Sequence, residues 1–175
     1  MTFVDRMIGA ARLDPRAYEE VEGDEKATVQ ALAVVVLAAV ATGIGRGEDF
    51  LSVGVAVRHL LMWVIWAGLS YAVGVYLIPE PQTDANLGQM LRTIGFAASP
   101  GILRFFRFIP FLGPLLSFVV GIWIVAAMII AIRQALDYKS IGRAAVVCLI
   151  AWFVSILMGI VFGAMLLMSA GSLFY

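Results

Sequence analysis

Four long uncharged runs, separated by short charged segments, dominate the pattern along the chain. The first extends from Ala27 to Ile44, the second from Leu60 to Ile78, the third from Phe111 to Ile132, and the fourth from Ala144 onward. A helix rises about 1.5 Å per residue and hydrocarbon is about 30 Å thick, so each run is long enough to cross a bilayer. We therefore predict membrane spans at about 27–44, 57–78, 111–133 and 143–168.

The segment at about 87–106 is harder to assign. Arg92 and Arg104 enclose only 11 uncharged residues, too few to cross unless both side chains reach outward to the head groups. Gly95, Pro100 and Gly101 would break a helix here, so we expect a kink or interruption within about one turn of Pro100. The segment is either a short third span of five or a re-entrant piece of a four-span protein.

The distribution of basic residues favours five spans. With the N-terminus in the cytoplasm, a five-span chain has eight Lys and Arg residues inside and four outside, whereas a four-span chain has seven and five. We therefore predict an all-α, polytopic membrane protein of five transmembrane helices, the third short and broken by Pro and Gly. Its N-terminus lies in the cytoplasm and its C-terminus outside.

Residues 1–25 form a separate cytoplasmic or interfacial segment in this prediction, ahead of a transmembrane domain at 26–175. Five apolar residues fall on one face of a first helix, which is typical either of a helix in the membrane interface or of a packing helix over the bundle. Asp14 and Pro15 then suit the N-cap and first position of a second helix, and Asp24 is placed to cap the first span. The five apolar residues are Phe3, Val4, Met7, Ile8 and Ala11.

Composition supports the membrane prediction and narrows the chemistry. The chain is 62% hydrophobic and 14% charged, with one His and one Cys, whereas soluble domains are about half apolar and about a quarter charged. A single His and a single Cys cannot form a His/Cys metal set, and no acidic residue lies inside a proposed span. We predict a protein that is not an enzyme, with no metal, no cofactor and no nucleic-acid partner.

Arginines are the main candidates for contact with lipid. Arg92, Arg104 and Arg107 border the broken segment, and Arg104 and Arg107 are three residues apart, so both could grip one phosphate. Simple anchoring at the membrane surface is the alternative. Arg58 and His59, at the start of the second span, are read either as an anion-binding pair or as an interfacial anchor.

Small residues repeat every four positions on two spans. Ser155, Gly159 and Gly163 form such a stripe on the last span, and Ser70 and Gly74 form another on the second. Stripes of this kind let helix backbones approach closely. The contacts are predicted either within the chain or between copies in a homo-oligomer.

Three stretches, taken in order, resemble the Yip family of Ypt/Rab-interacting membrane proteins. Leu13-Asp14-Pro15 precedes an acidic helix and the first span. Gly95, Phe96 and Pro100 match a Gly-Tyr-x-x-x-Pro motif, with Phe in place of Tyr. The segment from Arg133 to Ala144 is similar to the family's loop into its last span.

The resemblance implies five spans and a cytoplasmic N-terminus. Eukaryotic members act in traffic from the endoplasmic reticulum to the Golgi and contact Rab GTPases. The family's Asp-Leu-Tyr-Gly-Pro motif is missing here, which argues against Rab binding and suggests a prokaryotic member in the inner membrane. We expect a scaffold or organiser that binds membrane lipids, other membrane proteins or copies of itself. The alternative is a small channel or transporter with a cavity at the broken third helix.

Overall fold

The protein is helical throughout its regular structure. The structure, a computed structural model, describes residues 1–47 and 53–171, with side-chain surroundings for 1–47 and 54–161. Helix α4 continues into a π-helical turn, and α5 is followed by a 3-10 segment. The elements are α1 Phe3–Ala11, α2 Pro15–Gly23, α3 Ala27–Arg46, α4 Val53–Ala72, the π turn Val73–Leu77, α5 Leu87–Ala97, the 3-10 segment Ser99–Phe108, α6 Leu112–Ala135 and α7 Ile141–Gly171.

Four of the described helices are long and apolar enough to cross a membrane. They lie at Ala27–Arg46, Gly54–Leu77, Leu112–Ala135 and Ile141–Val161. These helices coincide with the four uncharged runs of the sequence, because a backbone in hydrocarbon must satisfy its own hydrogen bonds and a helix does so within one segment. The central segment is not among the four. It divides into an 11-residue helix and a 10-residue 3-10 segment.

The central segment runs parallel to α3 and against it. Three close approaches define the direction: Gly95 lies beside Ala31, Gly101 beside Ala38, and Gly45 beside the backbone of Arg104. The 3-10 geometry lengthens the segment, because it rises about 2.0 Å per residue against about 1.5 Å in an α-helix. The two pieces together therefore extend about 36 Å, compared with about 30 Å for the 20 residues of α3.

Helices α1 and α2 form an antiparallel hairpin against one flank of the bundle. Asp14 accepts a hydrogen bond from the Arg16 amide at 3.0 Å with Pro15 at the first helical position, which confirms the predicted N-cap. The buried Arg6 guanidinium pairs with Glu20 at 3.0 Å and Asp24 at 2.8 Å. These ion pairs hold α1 to the C-terminal half of α2.

The start and end of α3 differ from the sequence prediction. Lys26, not Asp24, is the N-cap of α3, and Asp24 instead accepts from the Lys26 amide at 3.0 Å while it pairs with Arg6. The helix also continues through Gly45 to Arg46, where Gly47 supplies a left-handed C-cap with a φ of 70°. A left-handed cap is the usual role of glycine after a helix, and Gly47 fills it here.

Helix α1 packs on the bundle with part of its apolar face. Phe3 makes an edge-to-face contact with Phe96, and Trp123 of α6 donates a hydrogen bond to the Ala11 carbonyl at 2.6 Å. Val4 and Ile8 stay exposed. The predicted apolar face is thus divided: one part covers the bundle, and the other remains available to a membrane surface.

Candidate functional site

The central segment is interrupted at Ala98, two residues before Pro100. This position is within the one helical turn of Pro100 that the sequence predicts. Helix α5 ends at Ala97 and the 3-10 segment begins at Ser99, which confirms an interruption packed inside the bundle. Proline has no amide hydrogen, so the Phe96 carbonyl loses its helical partner. The Ser99 hydroxyl donates to that carbonyl at 2.6 Å. A backbone N–H at the C-terminal cap of α5 also donates to this carbonyl, so a local side chain and the backbone together satisfy the group that the proline affects.

Neighbouring helices approach the break closely because glycines lie there. A methyl group added at Gly95 would lie 2.7 Å from the Ala31 Cβ, and one at Gly101 would lie 3.2 Å from the Ala38 Cβ. Trp63 of α4 donates from its indole nitrogen to the Leu91 carbonyl at 2.9 Å. The central segment is thus fixed to α3 by close backbone contact and to α4 by a hydrogen bond.

Arg92 lies at the end of the central segment where α2 finishes. Its side chain is only 7% exposed, and Nε donates to the Val21 carbonyl at 3.0 Å and the Glu22 carbonyl at 3.1 Å. A second guanidinium nitrogen, Nη2, also donates to the Glu22 carbonyl. The last carbonyls of a helix lack intrahelical partners and carry partial negative charge. The structure thus gives Arg92, predicted as a contact for lipid head groups, the role of capping α2.

Arg104 and Arg107 lie at the other end of the segment, beside the end of α3. Arg104 is half-buried and Arg107 is exposed, and Gly45 approaches the backbone of Arg104 and the Arg107 side chain. The positive charges of Arg46 and Arg107 are near enough to repel that of Arg104. An anion would relieve this repulsion, which keeps Arg104 and Arg107 as candidates for head-group binding.

A cavity of about 190 Å³ opens beside the break. Residues from α3, α4, the central segment and α6 line it, and most of them are apolar. Thr42, His59 and Arg104 are its polar lining residues. The sequence singled out His59, as a candidate anion-binding residue with Arg58, but not Thr42, because the convergence of the two depends on how α3 and α4 pack around the break.

The two stripes of small residues behave differently. Ser70 is fully buried, and Gly74 lies so close to Leu136 that a methyl group there would overlap the Leu136 side chain. Gly159 is exposed, and no described atom lies within 4 Å of a methyl group added there. Ser155 donates its hydroxyl to the Trp152 carbonyl at 2.8 Å. Gly163 is part of α7, but its surroundings lie outside the described residues.

The Tyr138 hydroxyl binds the π turn at the end of α4, at the level of Gly74. Its hydroxyl lies 3.0 Å from the Gly74 carbonyl and 2.8 Å from the Ile78 carbonyl, both acceptors. A π turn shifts the usual hydrogen-bond pattern and leaves carbonyls that need another partner. The loop after α6 therefore supplies a donor to the end of α4, and the absence of a side chain on Gly74 lets Leu136 approach.

A cluster of acidic residues surrounds Glu22, outside the membrane-spanning helices. Burial raises the pKa of Glu22 to about 7, and the Asp137 carboxylate adds to this increase while Arg92 opposes it. Burial also raises the pKa of Asp137, with contributions from Asp84 and Glu19. Gln89 donates to the Glu22 carboxylate at 3.1 Å. Ionised Glu22 is therefore costly in the folded state.

We expect Glu22→Gln to remove part of the pH dependence of stability. An unfolded Glu has a pKa near 4.3, so between that value and about 7 the folded protein binds more protons than the unfolded chain. The stability contribution of Glu22 therefore falls as pH rises through this window. Thermal unfolding in detergent at pH 5 and pH 8 should show that Glu22→Gln gains stability relative to the parent at the higher pH. An equal difference at both values would contradict the assignment.

Comparison with known sequences identifies the family to which the chain belongs. No group of three or more His, Cys, Asp or Glu residues that could hold a metal occurs among the described residues. No curated protein and no solved structure matches the chain significantly. The sequence model of the Yip1 domain matches residues 13–163, which include α2 of the hairpin, the broken segment and most of α7. With its several apolar membrane-spanning helices, the chain is an integral membrane protein that belongs to the Yip1 domain family.

Proposed function

We propose that the protein is a non-enzymatic membrane organiser that binds anionic lipid at Arg104 and Arg107. One observation carries the proposal: both arginines lie at the end of a broken segment, close enough together for the charge of Arg107 to act on Arg104. Guanidinium groups bind phosphate through charge-assisted hydrogen bonds. Phe105, Phe106 and Phe108, exposed beside the arginines, support contact with lipid at the same end.

The proposal includes five crossings, with the N-terminus in the cytoplasm and the C-terminus outside. The course of the central segment supports the fifth crossing, since it passes along α3 from the level of Ala31 to that of Gly45. Its buried residues are covered by neighbouring helices, as irregular backbone within a membrane requires. The bias of basic residues toward the inner side supports the orientation.

Reporter fusions provide the test of topology. A periplasmic-type reporter joined at Tyr175 should be active, and a cytoplasmic reporter joined at the same residue should be silent. The same pair joined in the loop at residue 83, between α4 and the central segment, should give the opposite result, because three crossings (the central segment, α6 and α7) separate this loop from Tyr175. Cytoplasmic signals at both positions would contradict five crossings.

Lipid retention provides the test of function. The double variant Arg104→Ala/Arg107→Ala should lose most of the anionic lipid that co-purifies with the parent protein, measured by native mass spectrometry. Each exposed ion pair contributes about 0.2–1 kcal/mol, so we expect the double change to lower affinity by roughly twofold to 30-fold.

The double variant Arg12→Ala/Arg16→Ala is the matched control. Both side chains are exposed in the α1–α2 hairpin and neither is among the charges that act on Arg104, so their loss should leave the bound lipid unchanged. Equal retention by both double variants would contradict head-group binding. The cavity supports a channel as the second candidate, and ion flux through proteoliposomes of the parent protein would favour that function.

A further inference from the structure

Polar and apolar residues occupy different parts of the lining of the cavity beside the break. Among the described residues that line it, Arg104 alone is charged and none is a carboxylate. Thr42, His59 and Arg104 belong to α3, α4 and the 3-10 segment, whereas Trp63, Trp66 and other apolar residues form the remaining wall. A site with this lining is complementary to a molecule that has an apolar body and an anionic end.

We propose that the cavity binds one acyl chain of an anionic phospholipid whose head group contacts Arg104 and His59. This inference rests on the proposed function, because the same arginine holds the head group. It adds that the bound lipid is inserted between α3, α4 and the central segment instead of lying only on the outer surface.

The volume fits a narrow chain. An apolar cavity of about 150 Å³ is known to hold a benzene molecule, so the cavity of about 190 Å³ has room for about six carbon atoms of an acyl chain. Drug-sized and bulkier ligands occupy about 300–1,000 Å³. The rest of the chain continues through the open side into the surrounding bilayer, which is the source of the ligand.

The polar end fits an anionic head group. His59 Nδ1 lies 2.9 Å from the Val55 carbonyl, and a carbonyl only accepts, so Nδ1 carries the proton of that hydrogen bond. Nε2 of the neutral ring is then an acceptor, which can take a hydrogen bond from a hydroxyl of the head group, while the ionised phosphate is left to Arg104. The charge of Arg107 reinforces that of Arg104, so a zwitterionic head group gains less from this end than an anionic one.

Two tryptophans report on occupancy. Trp63 and Trp66 line the cavity, whereas Trp123 and Trp152 do not. The Trp63 indole is tied to the Leu91 carbonyl, which keeps its ring in the wall. Bromine atoms on an acyl chain quench indole fluorescence on contact. The full chain carrying Trp123→Phe and Trp152→Phe therefore retains the emission of Trp63 and Trp66, and because Trp66 also lines a second cavity, the variants that fill the first cavity identify its share of the quenching.

The experiment compares two brominated lipids with identical chains. Phosphatidylglycerol is the anionic probe and phosphatidylcholine is the zwitterionic control, each titrated into bilayers of unlabelled phosphatidylcholine that contain the protein. We expect half-quenching at an about threefold lower mole fraction of phosphatidylglycerol, the ratio that corresponds to one modest ion pair. If the double Phe chain is unstable, the ratio is measured with all 4 tryptophans.

Three variants locate the site. Arg104→Gln should abolish the preference, whereas Arg58→Gln, which changes an exposed charge at the start of α4 outside the cavity lining, should retain it. Ala98→Leu adds volume inside the cavity and should also abolish the preference. Val35→Phe fills the cavity from α3 and replaces Ala98→Leu if that variant does not fold, and Ala33→Leu, outside the lining, is the control for added volume.

The outcomes separate this inference from the proposed function. If Arg104→Gln loses anionic lipid in mass spectrometry while Ala98→Leu and Val35→Phe keep the quenching preference, the head-group site stands and the cavity inference is wrong. Equal quenching by the two lipids in the parent chain also overturns the inference. If Arg104→Gln keeps both the bound lipid and the preference, the proposed function fails with it.

Discussion

Gly45→Ala should destabilise the protein by about 3 kcal/mol, the upper part of the usual range for overpacking. A methyl group at this position would overlap the carbonyl oxygen of Arg104 and lie 3.1 Å from the Arg107 Cβ. The first of these neighbours is backbone of the 3-10 segment, which cannot rotate away as a side-chain tip can. Alanine otherwise favours a helix over glycine by about 1 kcal/mol, so the overlap must exceed that gain. Reversible unfolding in SDS measures the difference.

Gly43→Ala is the matched control on the same helix. A methyl group at Gly43 would lie 3.8 Å from the Val55 side chain, an ordinary contact. This variant should therefore be neutral or more stable by up to about 1 kcal/mol. We therefore predict that alanine lowers the stability of the protein at position 45 but leaves it unchanged or raises it at position 43. If both substitutions stabilise, the central segment does not approach α3 as closely as the structure shows.

Arg92→Met should cost about 2–3 kcal/mol, because the substitution removes hydrogen bonds to the Val21 and Glu22 carbonyls and leaves these acceptors buried. Methionine has a similar length, so the loss of packing is small. Hydrogen exchange should report faster opening of α2 than of α6, since Arg92 caps α2 and the interior of α6 depends on other contacts. SDS unfolding gives the overall change.

Arg12→Met provides the control for loss of a positive charge. The Arg12 side chain is exposed at the turn of the α1–α2 hairpin, and surface substitutions usually change stability by less than about 0.5 kcal/mol. Similar losses for Arg92→Met and Arg12→Met would show that net charge, not the cap on α2, determines the effect. Arg92→Lys should be intermediate, because one ammonium group cannot reproduce the spread of guanidinium donors.

Hydropathy and residue type were enough to predict the long helices of this protein and the interruption between them. The four uncharged runs alone predict the four long helices, because crossing hydrocarbon requires length and apolar side chains and little else. Pro100 and the adjacent glycines predict the interruption, since proline in the interior of a helix removes a hydrogen bond. The order of motifs also indicated the family, which the match over residues 13–163 shows.

Tertiary structure alone decided what the polar residues do. Arg92 and Arg104 look equivalent in the sequence, yet one caps α2 and the other lines a cavity, because their surroundings come from α2 and α3. The first predicted span ended at residue 44, but α3 continues through Gly45, which lies at a close approach to the central segment. Sequence periodicity describes one helix at a time. Contacts between helices depend on how backbones distant along the chain are brought together, so no pattern within one segment reveals them.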